Sequence, residues 1–244
     1  MKKYYNQKGG GMENKRKYDE FYYSADSSIV SFNKLNEENC YSYEHKMFCP
    51  DCRRAALSYV RNITTPHLKQ KPSTPHQENC PYRYKAASNK MTESYIETLN
   101  DTQIKRKLDS MLRYLCTDKS IRQTYLSDNT MQDNPMLIHN ATGATRTYNT
   151  LRRKSLGVYF TEEDKGKIYV FYGKAKLNLV PKKDYAFLKL SVGKKEISIY
   201  HSKSFIPNDI DENAGYYIVC IGCLKDTLFK IELLKPNCLK YQKV

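Results

Sequence analysis

The stretch from Phe48 to Tyr82 reads FCPDCRRAALSYVRNITTPHLKQKPSTPHQENCPY, and the interpretation of the whole chain starts from it. Two cysteines at CxxC spacing open this stretch, and a histidine and a cysteine at HxxxC spacing close it. A tight turn lets the first two thiolates reach one ion, and a single helical turn would place the second pair on one side. Zinc prefers four nitrogen and sulfur ligands of this kind in a tetrahedron. We therefore predict a structural zinc ion held by Cys49, Cys52, His76 and Cys80.

The chain between the two ligand pairs suits a hairpin that the metal would staple. Residues 55–60 are typical of a strand, and three prolines mark irregular chain after it. Four protein ligands leave no position for water, so a catalytic zinc is not expected. The alternative is a set of unrelated free cysteines, although the segment has few large apolar residues in which to bury them. Three further residues are spare ligands, and the last is the first candidate to replace His76: Cys40, His45 and His67.

A CPxC turn, a short basic strand, a histidine-containing stretch and a final cysteine follow one another in this segment. In this order it resembles the zinc-binding N-terminal segment of competence-protein CoiA-like DNA-processing proteins. The resemblance covers residues 48–82. It departs from the family where Pro66-His67-Leu68-Lys69 replaces the usual His-Phe-x-His step, and the nuclease core of that family has no counterpart here. The resemblance implies a zinc module that works near nucleic acid and carries no activity over.

The chain is strongly basic, and its 244 residues suit two small domains or one large one. Its 41 lysines and arginines against 26 acidic residues give a net charge of +15, with +7 in residues 1–150 and +8 in the remainder. A positive charge spread over both halves favours a polyanionic partner, most often nucleic acid. The alternative is a generally lysine-rich protein with no such partner. The 22 tyrosines suit either base stacking or ordinary strands.

Cysteine use and hydropathy indicate a cytoplasmic location. The eight cysteines form no regular framework, which is typical of a reducing compartment. No apolar run approaches eighteen residues and no secretory signal opens the chain, so neither a membrane span nor export is expected. Residues 1–11 are interpreted as a flexible leader or tag, with Met12 as a possible original start. The second CxxC, Cys220 to Cys223, lies in a strand pattern, which favours buried single cysteines over a second metal site.

Residues 12–126 are predicted to form one zinc-binding and helical domain. After Asp101, a candidate N-cap, apolar residues recur at spacings of three and four through Leu115, which predicts an amphipathic helix. A shorter helix is expected before it. Residues 127–156 are rich in Asn, Asp, Thr, Gly and Pro, and we interpret them as a linker or a long loop.

Residues 157–244 are predicted to form a small antiparallel β-barrel, which makes the fold class α+β. A glycine in the long first strand and two tight hairpins match the Greek-key barrel of the OB type, with an SH3-like barrel or an open sheet as alternatives. The five predicted strands are Lys167–Lys174, Tyr185–Val192, Lys195–His201, Gly215–Cys223 and Thr227–Leu234.

Alternation along the second and third strands separates a core face from a binding face. The predicted core consists of Ala186, Leu188, Leu190, Val192, Ile197 and Ile199. The opposite face combines aromatic residues with lysines, which suits stacking of single-stranded bases. The alternative is that other parts of the protein cover these aromatics. The predicted nucleic-acid contacts are Lys174, Tyr185, Phe187, Lys189, Tyr200, Arg152 and Arg153, and Tyr169 and Phe171 are candidates to extend this face.

Three functions follow from these patterns. The first is non-catalytic binding of single-stranded DNA or RNA with little sequence preference, supported by a structural zinc. The second is an adaptor that holds a protein partner in a bacterial DNA-processing or defence complex. The third is a CoiA-like nuclease accessory, for which Asp209 and Glu232 would be the acidic candidates, although Glu232 and Lys235 lack the spacing of a metal-dependent nuclease. The sequence contains no serine elbow, P-loop or HExxH motif, which favours the non-catalytic functions.

Overall fold

The chain is described from a computed structural model, and its fold belongs to the α+β class. The predicted leader, residues 1–11, lies outside the described residues. Residues 117–126, at the end of the predicted helical section, also lie outside them. The described residues are 16–61, 63–78, 80–116, 134–142, 145–205, 207 and 209–244.

The N-terminal module consists of two small antiparallel sheets. Strand β1 (Glu20–Tyr23) pairs on either side with β2 (Ser28–Ser31) and β3 (Met47–Phe48). Strands β4 (Leu57–Val60) and β5 (His67–Gln70) form the hairpin expected between the two ligand pairs. Side chains from both sheets share one buried core, which includes Tyr18, Phe21, Phe32, Leu57, Leu68 and Tyr82.

Helices form a small part of the described residues. They are α1 (Cys40–Tyr43), α2 (Asn89–Thr98) and α3 (Asp101–Cys116). The predicted N-cap Asp101 is instead the first residue of α3, because Asn100 provides the cap. The Asn100 side chain accepts from the Gln103 N–H at 2.9 Å, and the Gln103 side chain accepts from the Asn100 N–H at 2.9 Å. This reciprocal pair is a capping box, which satisfies two backbone donors at the start of the helix.

The stretch predicted as a linker or long loop contains three strands. Strands β7 (Leu137–Thr142) and β8 (Thr145–Thr150) form an antiparallel hairpin, and β6 (Lys85–Ala86) pairs parallel to β8. Strand β9 (Arg153–Ser155) then joins the C-terminal sheet. The loop-like composition was misleading because a few apolar side chains fix this hairpin against the helices: Met136, Ile138 and Leu151. Residues 127–133 lie outside the described part of the chain.

The C-terminal half is a closed five-stranded β-barrel. Its strands are β10 (Ile168–Pro181), β11 (Tyr185–Val192), β12 (Lys195–Ser202), β13 (Gly215–Leu224) and β14 (Lys230–Leu233). All five predicted strands are present, and the first runs on to Pro181, well beyond its predicted end. Five of the six predicted core residues are fully buried inside the barrel, while Val192 is half-buried.

The barrel closes because β10 pairs with both β11 and β13. The order around it is β10, β11, β12, β14, β13 and back to β10. The prediction of an antiparallel barrel needs one correction, since β12 and β14 pair in parallel. Two strands that were not predicted extend the sheet beyond the barrel. Strand β9 pairs parallel to β10, and β15 (Leu239–Lys243) pairs with β13.

Two glycines make this geometry possible. Gly173 has φ +151°, a backbone conformation that other residues rarely adopt, and it lies where one side of β10 passes from its pairing with β9, which ends at Tyr172, to its pairing with β11, which starts at Lys176. A Cβ at Gly222 would lie 2.3 Å from the backbone oxygen of Glu232, so the approach of β13 to β14 requires a residue without a side chain.

The helical section packs on the outside of the barrel rather than only on the N-terminal module. Side chains of α2 and α3 share a core with outward-facing residues of β10 and β13. A second core fills the barrel itself. Within the described residues, no helix combines the length and the apolar composition needed to cross a bilayer.

Candidate metal centre and binding face

The four predicted ligands lie together. The ligand atoms of Cys49, Cys52, His76 and Cys80 are all within 4.8 Å of one another, and this is the only group of three or more such side chains found among the described residues that could hold a metal ion. Sγ of Cys49 and Sγ of Cys80 are 3.7 Å apart, which is far too long for a disulfide. Nδ1 of His76 lies 3.5 Å from Sγ of Cys52 and 3.3 Å from Sγ of Cys80. Four ligand atoms thus surround one point.

The first ligand pair is held by a tight turn after β3. The Cys49 N–H donates to the Ala55 carbonyl at 2.8 Å, and the Arg53 N–H donates to the Cys49 carbonyl at 3.0 Å. Arg53 adopts a left-handed backbone with φ 51°, which turns the chain back on itself. The Asp51 N–H points at Sγ of Cys49 at 3.4 Å, so the backbone supports the negative charge of a metal-bound thiolate.

The second ligand pair lies in irregular chain, whereas the spacing suggested a helical turn. The Cys80 N–H closes this turn on the Gln77 carbonyl at 3.0 Å. The imidazole of His76 directs Nδ1 at the sulfurs and Nε2 at the hydroxyl of Tyr18, 2.8 Å away. Tyr18 is buried and stacks on Tyr82 at 5.0 Å between ring centroids. A metal-bound histidine typically needs such a partner for its second nitrogen.

The electrostatics of the cluster favour a bound cation. Burial raises the pKa of the Cys49 thiol, and burial together with hydrogen bonds to the other sulfurs raises the pKa of Cys80. Hydrogen bonds from these two thiols lower the pKa of Cys52. Without a cation, the group therefore favours one thiolate beside two thiols. A divalent metal would stabilise all three thiolates, and the protons would be released on binding.

The spare ligands and the second CxxC lie outside this cluster. His67 is in β5, and its Nδ1 lies 3.1 Å from the Thr65 carbonyl, so His76 is the histidine of the group. Sγ of Cys40 accepts from Arg61 at 3.1 Å. Cys220 is fully buried in β13 and Cys223 is half-buried, as expected for single cysteines in a strand.

A buried ion-pair group links the metal turn to the barrel, and sequence reasoning missed it. Asp51, between the two cysteines of the turn, accepts from Arg153 at 2.8 Å and from the Tyr114 hydroxyl at 2.9 Å. Arg153 also lies 3.5 Å from Glu20, and that carboxylate accepts from the Tyr172 hydroxyl at 2.8 Å. The position of Asp51 inside CPDC was the one available signal for this role.

The prediction that Arg153 contacts nucleic acid is corrected by this placement. Its side chain is only 3% exposed, and its charge faces Glu20 and Asp51. A buried, paired guanidinium cannot also serve an exposed face. The neighbouring Arg152 is half-buried and points elsewhere, into a basic pocket described below.

The predicted aromatic face is present on β11 and β12. Tyr185 and Phe187 have ring centroids 5.4 Å apart, and Tyr200 lies 5.6 Å from Tyr185 and 6.2 Å from Phe187. Tyr200 is 46% exposed, while the other two are half-buried. Lys189 lies on the same face and pairs with Glu196 at 2.7 Å. Three aromatic rings therefore form one group on the outside of the barrel, which we call the aromatic face.

Three other candidates do not join the aromatic face. Lys174 is exposed but lies beside Tyr217 of β13, with its Nζ 5.3 Å from that ring. It is six positions from Val180, the partner of Phe187, which corresponds to about 20 Å along a strand. Tyr169 and Phe171 are fully buried inside the barrel, because these two alternate positions of β10 face its interior.

The acidic nuclease candidates form no metal group in the described part of the chain. Glu232 pairs with Lys225 at 3.2 Å, and Asp209 accepts a hydrogen bond from Tyr241. Neither belongs to a group of three or more metal-ligating side chains among the described residues. Comparison with known proteins adds no activity: no family model, no curated protein and no solved structure matches the chain.

Proposed function

We propose that this protein binds single-stranded DNA or RNA with little sequence preference, without catalysis, and that a structural zinc ion holds its N-terminal module. The observation that carries the proposal is the aromatic face of Tyr185, Phe187 and Tyr200. Grouped aromatic rings on a strand surface are a stacking platform for bases, and each stacked base contributes about 1–3 kcal/mol. Every base has a π-face, so a platform of this kind discriminates little between sequences.

We further propose that the barrel is of the OB type. In support, its strand order is the first, second, third, fifth and fourth strand and back to the first, with the third and fifth parallel. OB barrels bind oligonucleotides on the face of their second and third strands. These correspond here to β11 and β12, which carry the aromatic face.

Lysines supply the electrostatic part of the proposed interface. Lys230 of β14 pairs in register with Ser198, next to the aromatic rings, and Lys189 of β11 lies on the other side of Ser198 with its charge paired to Glu196. The loop between β10 and β11 adds Lys182 and Lys183, both exposed. With a net charge of +15, these groups favour contact with the phosphates of a strand.

Zinc is the metal that suits the ligand group best. Two sulfurs at 2.3 Å from a tetrahedral zinc are about 3.8 Å apart, and a sulfur and a nitrogen are about 3.6 Å apart. The corresponding separations here are 3.7 Å for the two sulfurs and 3.5 and 3.3 Å for His76. Three thiolates and one imidazole fill a closed site, so the metal would act on structure only. All eight cysteines are free, which supports a reducing compartment such as the cytoplasm.

The resemblance of residues 48–82 to CoiA-like proteins is consistent with a role in DNA processing. It adds no catalytic step, because neither Asp209 nor Glu232 belongs to a group of metal-ligating side chains among the described residues. We therefore propose a binding protein rather than a nuclease accessory.

Substitution of the aromatic face tests the proposal. We expect Phe187→Ala and Tyr200→Ala each to weaken binding of a fluorescein-labelled oligothymidylate by about tenfold or more, since one stacking contact is lost. Tyr41→Ala is the matched control, because Tyr41 is 62% exposed but lies on α1 in the N-terminal module. Equal affinity of all four proteins, or an equal loss in the control, would overturn the proposed interface.

An adaptor function is the second candidate. The observation that favours it is a pair of exposed aromatics outside the aromatic face, Phe229 at 60% and Phe205 at 45% exposure. Exposed aromatic side chains are enriched at protein interfaces. If the protein is an adaptor, it should capture a protein partner even after nuclease treatment of the sample. Phe229→Ala should then abolish this capture and leave oligonucleotide binding unchanged.

A further inference from the structure

A basic pocket lies where the N-terminal module meets helix α2 and strand β8. It has a volume of about 500 Å³ and is bordered by chain from four places: the segment before β1, the turn after Cys80, the start of α2 and the link between β8 and β9. No acidic residue is among the described residues that line it. Its cations are Arg16, Lys17, Arg83, Lys85 and Arg152, and we call this site the basic pocket.

Arg152 is the unusual member of the group. Its Nε and Nη1 atoms are buried, yet neither has a hydrogen-bond partner among the described residues. A guanidinium group has five N–H donors and no acceptor, and these two nitrogens carry three of them, so burying them without an acceptor is unfavourable. Its neighbour Arg153 forms ion pairs with Asp51 and Glu20, although its own Nε also lacks a hydrogen bond, and neither of these carboxylates pairs with Arg152. An acceptor that reached these atoms would relieve this cost.

The other cations differ in how far the protein already neutralises them. Arg16 pairs with Glu163 and donates to Asn33 at 3.3 Å, although its Nε is also buried without a partner. Nη1 of Arg83 donates to the Glu78 carbonyl at 3.0 Å, a neutral acceptor that leaves its charge in place. Among the described residues, Arg83, Lys85 and Arg152 pair with no carboxylate, so their charges remain for a ligand, while Lys17 lies near the sulfurs of Cys49 and Cys80.

We infer that the basic pocket binds a phosphate group through Arg152. A phosphate offers several oxygens, and two parallel N–H···O bonds match the planar fork of an arginine. Several cations around one such fork suit a phosphate better than a carboxylate. This inference deepens the proposed function and rests on it in one respect: the phosphate is assigned to the backbone of the bound strand.

The pocket would complement the aromatic face in a simple way. Contacts to phosphates position a strand and carry no sequence information, and base stacking adds affinity without a strong preference for sequence. Tyr84 forms part of the pocket wall and packs against Tyr148 at 5.4 Å between centroids, so the wall beside the cations is apolar and suits a sugar.

Titration with inorganic phosphate tests the pocket itself. We expect phosphate, added at constant ionic strength against chloride, to shift the Nε–Hε NMR signal of Arg152 saturably. Arg152→Gln should weaken phosphate binding at least about tenfold, because a charge-assisted pair of hydrogen bonds is lost. Arg106→Gln is the control, because it removes the same charge from an exposed residue of α3 that does not line the pocket. Lys85→Gln, at an exposed position, is a second pocket variant that leaves buried groups intact.

The same signal separates the two sources of phosphate. We expect a short oligothymidylate to shift the Arg152 signal and to compete with inorganic phosphate. The slope of log affinity against log salt concentration reports the number of phosphate contacts. Arg152→Gln and Lys85→Gln should each reduce this slope by the contribution of about one contact, and Arg106→Gln should leave it unchanged.

Each outcome has a distinct meaning. No phosphate-dependent shift of Arg152 overturns the phosphate site, even if the oligonucleotide binds through the aromatic face. Oligonucleotide binding that leaves the Arg152 signal unchanged overturns the assignment to the strand. Phosphate binding at Arg152 without any oligonucleotide binding supports the phosphate site and overturns the proposed function instead.

Discussion

Single residues show how the N-terminal module assembles a group that could hold a metal ion. Three sulfurs and one imidazole nitrogen meet within 4.8 Å, in a module whose core has only ten other buried hydrophobic side chains among the described residues. In small domains of this kind, metal binding contributes folding free energy directly. The spacing of Cys49, Cys52, His76 and Cys80 predicted this group correctly because both pairs act over short sequence separations. Tyr18, which holds Nε2 of His76, could not be predicted because it is 58 positions away.

Loss of one ligand should therefore remove the metal. We expect one zinc ion per wild-type chain by elemental analysis, and none in Cys80→Ser. Cys40→Ser is the control, since Cys40 is buried in the same module but lies outside the ligand group.

Zinc affinity should also fall as pH is lowered, because the raised pKa values of Cys49 and Cys80 mean that protons must leave on binding. Full zinc content in Cys80→Ser, or affinity that is independent of pH, would contradict this assignment.

At the scale of elements, helix α3 and the barrel strands with their tight hairpins were predictable, and the hairpin of β7 and β8 was not. Periodicities of 3.6 and 2 residues identify buried faces directly, as in α3 and in β11. The hairpin of β7 and β8 is polar in composition, so its strands were interpreted as a loop. Its stability comes from contacts with α2 and α3, which belong to distant parts of the sequence.

Helix α3 carries a lysine whose burial should make stability depend on pH. Burial lowers the pKa of Lys107 from 10.5 to about 8. Between these two pH values the unfolded chain binds the extra proton, so stability should rise with pH across that window. Lys107→Met should stabilise the protein by about 1 kcal/mol or more at pH 7, and the gain should shrink toward pH 10.5.

Urea unfolding at several pH values measures this effect. The exposed Lys105 lies on the same helix, so Lys105→Met is the matched control and should change stability little at any pH. A gain for Lys107→Met that does not vary with pH would show that burial of the charge is not its cause.

At the scale of the whole molecule, one buried ion-pair group joins the metal turn to the barrel. Arg153 contacts Asp51 and Glu20, which are 102 and 133 positions away in the chain. Pairing over such separations leaves no periodic trace in the sequence, which is why two adjacent arginines were both interpreted as exposed. The arrangement implies that the N-terminal module and the barrel unfold together.

A double-mutant cycle tests this coupling. Asp51→Ala should cost about 3–5 kcal/mol, because it leaves part of a buried guanidinium charge unpaired. The combination with Arg153→Met should cost less than the sum of the two single changes, and chelation of the metal should lower the midpoint of one shared unfolding transition. Additive costs, or separate transitions for module and barrel after chelation, would argue against a single cooperative unit. Zinc content measured in each variant distinguishes lost coupling from lost metal.

The most direct test of the account is the affinity of the zinc-loaded, full-length protein for a single-stranded oligothymidylate, measured by fluorescence anisotropy over a range of salt concentrations. We predict measurable binding at low salt, with the logarithm of affinity falling linearly as the logarithm of salt concentration rises, as phosphate contacts on a chain of net charge +15 require. No binding at low salt, or an affinity that does not change with salt, would contradict it.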